Sequence, residues 1–231
     1  MSDELIHKPT AKNNESTKIL RFRMSERLLH WSLAGPFLVC FMTAVILIIF
    51  YNPFPTRPYR LLFSWVHRIS GILLLILPLF AISKGRHDWR LHFYNIKQAW
   101  VWTFEDIKWL MLMGIATIFK KIRLPEQSKF NAAEKLNFMY LMVTYPFYIM
   151  TGALIWFTDV AFVSWLLHCY MAMLATPFIV GHIFMATINP DTRVGLHGMF
   201  SGHVDRHWAK HHYPRWYREH FEQRLGSETE K

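Results

Sequence analysis

Charged side chains are scarce in this chain. Asp, Glu, Lys and Arg make up 18% of its 231 residues, while 52% are hydrophobic; soluble domains carry about 25% charge. That balance excludes a disordered chain, which needs a polar and charge-rich composition. Cysteine is nearly missing as well: Cys40 and Cys169 stand alone, neither in a CxxC pair. Two such residues make no disulfide scaffold, and they argue against zinc or an iron–sulfur cluster held by this chain. Acidic residues number 16 against 26 Lys and Arg, a formal net charge of +10. A surplus of that size is compatible with nucleic acid, so its distribution has to decide.

Four long stretches lack charge almost altogether. They run over about 28–51, 61–82, 136–157 and 162–188, and Arg68 is the only permanently charged side chain in them. Each reaches the roughly 20 apolar residues needed to cross a bilayer. The expected fold is therefore all-α, a bundle of four transmembrane helices, since helices satisfy their own backbone in lipid. A fifth apolar run, 107–119, is too short to span. It is flanked by Glu105, Asp106 and Lys108 on one side and by Lys120, Lys121 and Arg123 on the other. That pattern predicts an amphipathic cytoplasmic helix at the membrane interface.

The cations partition sharply. Six precede the first span, nine lie in 83–131 and seven follow residue 189, whereas the first short loop holds only Arg57 and Arg60 and 158–161 holds none. By the positive-inside rule both termini and the long middle segment are cytoplasmic, and the two short loops face outward. This accounts for the basic charge without nucleic acid, and no nucleic-acid partner is expected. The first 27 residues are polar and the apolar run behind them suits a span better than a signal peptide. The segment 1–18 is expected to be loosely ordered. With no repeat and no linker, the chain reads as one domain over 1–231, with a cytoplasmic tail over 190–231. The setting expected is the bacterial inner membrane.

Ionisable residues inside spans are expensive and by default functional. Four of the 13 histidines lie there: His30, His67, His168 and His182. The charge-derived topology gives each a depth. His67 and His168 fall seven residues in from the outer ends of their spans; His30 and His182 lie toward the cytoplasmic side. His168 and His182 are 14 residues apart, which returns to nearly the same helix face, about 40° off, after a rise of roughly 21 Å. One helix thus presents two imidazoles to the bundle interior, and the first and second spans each offer one opposite. Two haems b, each with two axial histidines (His67 with His168, His30 with His182), fit this arrangement. The four histidines are then the iron ligands.

Small residues agree with a flat cofactor. Gly71 follows His67 by one turn, Gly181 directly precedes His182, and Gly35 and Gly152 lie in the first and third spans. Pro36, Pro78, Pro146 and Pro177 offer bends. Arg68, beside His67, is a candidate partner for a haem propionate. Taken singly, a membrane histidine is more often a hydrogen-bonded helix contact, and a haem-free transporter with histidine proton relays is the reading from another class; it leaves the matched depths unexplained. Six histidines between 197 and 220 lie among Arg, Lys and aromatic residues without thiolates or paired carboxylates, which suits a packed surface or partner contact better than a metal site.

The segment Lys129-Phe130-Asn131-Ala132-Ala133-Glu134-Lys135 precedes the third span, and the tail carries Gly198-Met199-Phe200-Ser201-Gly202-His203-Val204 and Trp208-Ala209-Lys210-His211-His212-Tyr213-Pro214-Arg215-Trp216-Tyr217. With the His168/His182 spacing, these stretches resemble the cytochrome b (gamma) subunit of membrane-bound formate dehydrogenases, over about 21–217. The resemblance implies the same ligand pairing. It also implies quinone (menaquinone or ubiquinone) reduced on the cytoplasmic side, beside His182, Asn131 and Ala133, the last standing where the family has glycine. Glu134 and Lys135 are then candidate proton relays, and Asn131 is also well suited to cap the third span. The implied partners are an iron–sulfur subunit and a molybdenum or tungsten catalytic subunit at the outer face, with membrane lipid and quinone. The expected role is electron transfer from that subunit through the haems to quinone, with quinone reduction at this chain. The nearest rival within the class is the cytochrome b subunit of a nickel–iron hydrogenase or thiosulfate-type reductase.

Overall fold

The computed structural model describes residues 17–119 and 121–222. The loose segment expected over 1–18 lies, except for its last two residues, outside this range. Four helices are long and apolar enough to cross a membrane: Met24–Tyr51, Arg60–Lys84, Ala132–Phe157 and Ala161–Ile188. They contain α1 (Met24–Ile46), α2 (Arg60–Lys84), α5 (Ala132–Phe157) and α6 (Ala161–Ile183); α1 and α6 each end in a π-helical turn, Leu47–Tyr51 and Phe184–Ile188. The protein is a membrane protein with a predominantly helical fold. By backbone contacts it divides into two compact units, Arg23–His87 with Met142–Phe184, and Met1–Phe22 with Asp88–Leu141 and Met185–Lys231.

In the unit made of 23–87 and 142–184, α1 and α2 pack closely along their length, and no other pair of the four spans comes as near backbone to backbone. Each span carries a proline inside it. A proline in a helix leaves the carbonyl four residues earlier without its N–H donor. For Pro78 that carbonyl is Leu74, and the Tyr145 hydroxyl donates to it at 2.9 Å. The Tyr148 hydroxyl ties α5 to α6, donating to the Met171 carbonyl at 2.8 Å. These bonds satisfy freed or polar backbone where lipid offers no partner.

The unit made of 1–22, 88–141 and 185–231 is built from shorter pieces. A strand β1 (Lys18–Leu20) pairs antiparallel with β2 (His203–Asp205), Ile19 opposite Val204. Ile19, Val204, Ala209, Tyr213, Trp216 and Tyr217 form its core, so the C-terminal tail folds onto the entry strand. Between β2 and the chain's end lie α8 (Arg206–His212) and α9 (Pro214–Tyr217); α7 (Val194–Ser201) precedes β2. The tight α7–β2 corner rests on two glycines. Gly202 has φ 86°, a left-handed conformation that favours glycine, and a Cβ on Gly198 would stand 2.7 Å from Val204 Cγ1.

Two helices occupy the segment between the second and third spans. The expected amphipathic helix over 107–119 appears as α4 (Phe104–Ile118), begun by a capping box in which Thr103 N–H donates to the Asp106 carboxylate at 2.8 Å. Phe104, Ile107, Met111, Ile115 and Ile118 form an exposed apolar stripe along it. Before it lies α3 (Trp89–Trp100), which buries Leu91, Asn95 and Ala99 on one face.

Candidate functional site

The unit of 23–87 and 142–184 holds all four span histidines. α6 carries His168 toward α2 and His182 toward α1: the rings of His67 and His168 are 6.0 Å apart, centroid to centroid, and those of His30 and His182 are 6.3 Å apart. The two pairs formed in space are therefore the two expected from depth. An iron between two imidazoles takes a metal–nitrogen bond of about 2 Å on each side, and a ring nitrogen sits roughly 1 Å from its centroid, which puts the centroids about 6 Å apart. Both pairs match that span.

Hydrogen bonding at the rings also suits ligation. His67 Nδ1 lies 3.0 Å from the Cys40 carbonyl and 2.9 Å from Thr43 Oγ1. A carbonyl only accepts, so Nδ1 carries the proton and Nε2 keeps its lone pair for a metal. His168 Nδ1 is 2.7 Å from Thr151 Oγ1, whose own proton goes to the Phe147 carbonyl at 2.6 Å. His30 Nδ1 is buried with no hydrogen-bond partner among the described residues. A Cβ added to Gly35, Gly71 or Gly181 would meet nothing within 4 Å, and one on Gly152 would only touch His168 Cε1 at 3.6 Å. The residues present fit two bis-imidazole haems. Arg68 is poised over two indoles, 5.5 Å from the Trp65 centroid and 5.2 Å from that of Trp156.

In the other unit, Asn131 starts α5. Its Oδ1 accepts from Glu134 N–H at 2.9 Å, and Asn131 N–H donates to the Glu134 carboxylate at 2.8 Å, a reciprocal capping box. The same carboxylate accepts from the Tyr213 hydroxyl at 2.7 Å. Burial, then the Glu134 charge, raises the Tyr213 phenol above its ordinary value. The Arg21 guanidinium lies 3.5 Å over the Tyr213 ring and donates to the Lys129 carbonyl at 2.8 Å. Ala133, next in the cap, is half-buried.

Lys135 is tied down at the start of α5. Its ammonium donates to both Asp106 oxygens at 2.9 Å and to the Val101 carbonyl at 3.0 Å, and its side chain is 5% exposed. Three donors meet three acceptors, so Lys135 is a buried anchor between α4 and α5. Reading the sequence missed Thr43, Thr151, Tyr213 and Arg21. Thr151 shares its span with Asn137 and Thr144, so polarity alone did not single it out; the others needed the tertiary contacts. Among the described residues no cluster of three or more His, Cys, Asp or Glu is placed to hold a metal ion, the tail histidines included.

A membrane bundle that brings four histidines together as two facing pairs defines the class of haem-binding membrane cytochromes. Residues 21–202 match the family model of prokaryotic cytochrome b561, and the chain belongs to that family. It is accordingly a membrane cytochrome b, a haem b protein of electron transport. Among curated relatives it is 27% identical over 224 residues to the cytochrome b556 subunit of the nitrate-inducible formate dehydrogenase of Escherichia coli K12, covering 89% of this chain and 93% of the relative. It is 26% identical over 230 residues to the formate dehydrogenase cytochrome b556 subunit of Haemophilus influenzae, covering 89% and 85%. A second Escherichia coli K12 formate dehydrogenase subunit, cytochrome b556(fdo), is 26% identical over 211 residues, covering 87% and 92%. These relatives bear out the resemblance carried by the 129–135 and tail motifs.

Proposed function

We propose that this chain is the membrane electron-transfer subunit of a respiratory formate dehydrogenase in a bacterial inner membrane. It takes electrons at its outer face from an iron–sulfur subunit fed by a molybdenum or tungsten catalytic subunit, and delivers them to quinone on the cytoplasmic side. The observation that carries the reading is the pair of histidine pairs, at 6.0 and 6.3 Å, served by one helix with a two-heptad spacing. The family supports the haem, and the relatives support the formate dehydrogenase assignment.

His67 with His168, and His30 with His182, each hold one haem b, which when bound supplies a one-electron iron couple. Thr43, Cys40 and Thr151 orient the first pair of ligands. Arg68, whose charge rests on Trp65 and Trp156, is assigned to a haem propionate. Asn131, Ala133 and His182 are assigned to quinone by the resemblance. The Asn131 amide group carries N–H donors besides its capping oxygen, suited to a quinone carbonyl. Glu134, hydrogen-bonded to Tyr213, is the carboxylate next to it that can take part in proton uptake.

The test is a reduced-minus-oxidised spectrum of the purified protein with haem counted by the pyridine haemochrome method. Two low-spin haems b per chain are expected, and one in His67→Ala or His168→Ala. A protein purified intact without haem overturns the reading. The large subunit that co-purifies identifies the electron donor.

A further inference from the structure

The two histidine pairs are not anchored alike. At the His67–His168 pair both Nδ1 atoms donate hydrogen bonds: His67 to the Cys40 carbonyl at 3.0 Å and to Thr43 Oγ1 at 2.9 Å, His168 to Thr151 Oγ1 at 2.7 Å. Ligation of iron through Nε2 leaves the proton on Nδ1, and the threonines can accept it. The Thr43 hydroxyl proton goes to its own helix, to the Val39 carbonyl at 2.7 Å, and that of Thr151 to the Phe147 carbonyl at 2.6 Å. A hydroxyl has one proton and two lone pairs, so each oxygen is left to accept from imidazole. His30 in the other pair has its Nδ1 buried and without a hydrogen-bond partner among the described residues.

An imidazole that gives its second N–H to an acceptor is a more basic ligand. A more basic ligand stabilises the oxidised, more highly charged iron and lowers the reduction potential; hydrogen bonding beyond the ligands is one of the levers a protein has on it. We propose that Thr151 and Thr43 are positioning residues that hold the His67–His168 site at a lower potential than the His30–His182 site, which makes inward electron transfer downhill. The inference rests on the dihaem reading above. In the step one electron leaves the His67–His168 site, which is oxidised, and enters the His30–His182 site, which is reduced. No bond is made or broken.

The test is an optical redox titration of the purified protein, with haem counted in each sample. Wild type is expected to show two midpoints. Thr151→Val removes the acceptor at near-constant volume. It is expected to raise the lower midpoint, changing the reduced-to-oxidised ratio of that site at a fixed poise by up to roughly tenfold, or about 59 mV for one electron. The upper midpoint stays where it was, and Thr151→Ser restores the lower one. Thr43→Val gives a smaller rise, because the Cys40 carbonyl still accepts from His67. A lower midpoint that does not move in Thr151→Val with both haems present, or an upper midpoint that moves instead, overturns the proposal. Should Thr151→Val shed a haem, Thr43→Val carries the test, and no rise there overturns it. A wild-type protein without two haems refutes the dihaem reading, separately from this one.

Discussion

Individual residues here do two kinds of work, and substitutions can separate them. Asn131 caps α5 through Oδ1, while its amide group is the part proposed to meet quinone. Asn131→Asp keeps an oxygen at the cap and removes the amide donor; Asn131→Ala removes both and costs about 1 kcal/mol of stability through the cap. The expected outcome is an unchanged melting temperature but slowed quinone reduction in Asn131→Asp, with the haem spectrum intact. Equal quinone kinetics in both variants and wild type would sink the quinone role. Gly198 has a purely steric duty. Its missing Cβ would lie 2.7 Å from the methyl of Val204, which is 1% exposed, so Gly198→Ala is expected to cost about 1–3 kcal/mol. Gly114→Ala, with nothing within 4 Å, is the control and should be neutral or slightly stabilising in its helix. Calorimetry of the solubilised protein checks both. The four histidines were legible from the sequence because charge partition assigns depth without using them. Thr43 and Cys40 were not, because their bonds to His67 cross from α1 to α2 and no spacing along one helix encodes that.

At the scale of elements, the long spans were legible and the short pieces were not. A run of some two dozen apolar residues needs no periodicity to be read, since lipid contacts every face. The spans start earlier than hydropathy alone suggests, α1 at Met24 and α5 at Ala132, because polar first turns closed by Glu26 and Glu134 extend each helix out of its apolar stretch. α3 escaped notice because aromatic and polar residues alternate around it, and the three-residue strands are fixed by a partner about 185 residues away in sequence. The Asp106–Lys135 ion pair ties α4 to α5. Removing Asp106 leaves the Lys135 ammonium buried and unpaired, so Asp106→Ala should cost about 3–5 kcal/mol, whereas Asp106→Leu with Lys135→Met should recover most of it. A double-mutant cycle on thermal stability reads the coupling, and additive losses would contradict the anchor role. Acid acts on the neighbouring tail. Burial, then His211, lowers His212 to about 4; the unfolded chain therefore takes up this proton first as pH falls from about 6.5, its ordinary value. Stability contributed by His212 is full above that value and declines between it and about 4. The Arg218 partner holds the Glu126 carboxyl below its ordinary value as well, which extends the loss to lower pH. The tail unit should thus melt at progressively lower temperature through this window, and His212→Gln should flatten the upper part of the slope.

For the whole molecule the decisive quantity is the side of the membrane on which each end of the bundle lies, because electron entry and quinone reduction are proposed at opposite faces. Charge supplies the argument. The segments before the first span, between the second and third, and after the fourth hold 22 of the 26 Lys and Arg residues, and such excess is retained on the cytoplasmic side. If both termini lie there, the turns at 52–59 and 158–160 are outside, the His67–His168 pair sits on the donor side, and electrons entering there cross inward along α6 over roughly 21 Å of helix rise. Single-cysteine labelling settles it. In a background carrying Cys40→Ala and Cys169→Ala, Thr56→Cys and Asp159→Cys should react with a membrane-impermeant maleimide in spheroplasts, while Ser128→Cys and Ser201→Cys should react only after lysis. The reverse pattern would place the His30–His182 pair on the donor side and turn the proposed current around. With it would go the reason for an anchored, lower-potential site at His67 and His168, since the first acceptor of an inward current has to be the weaker oxidant of the two.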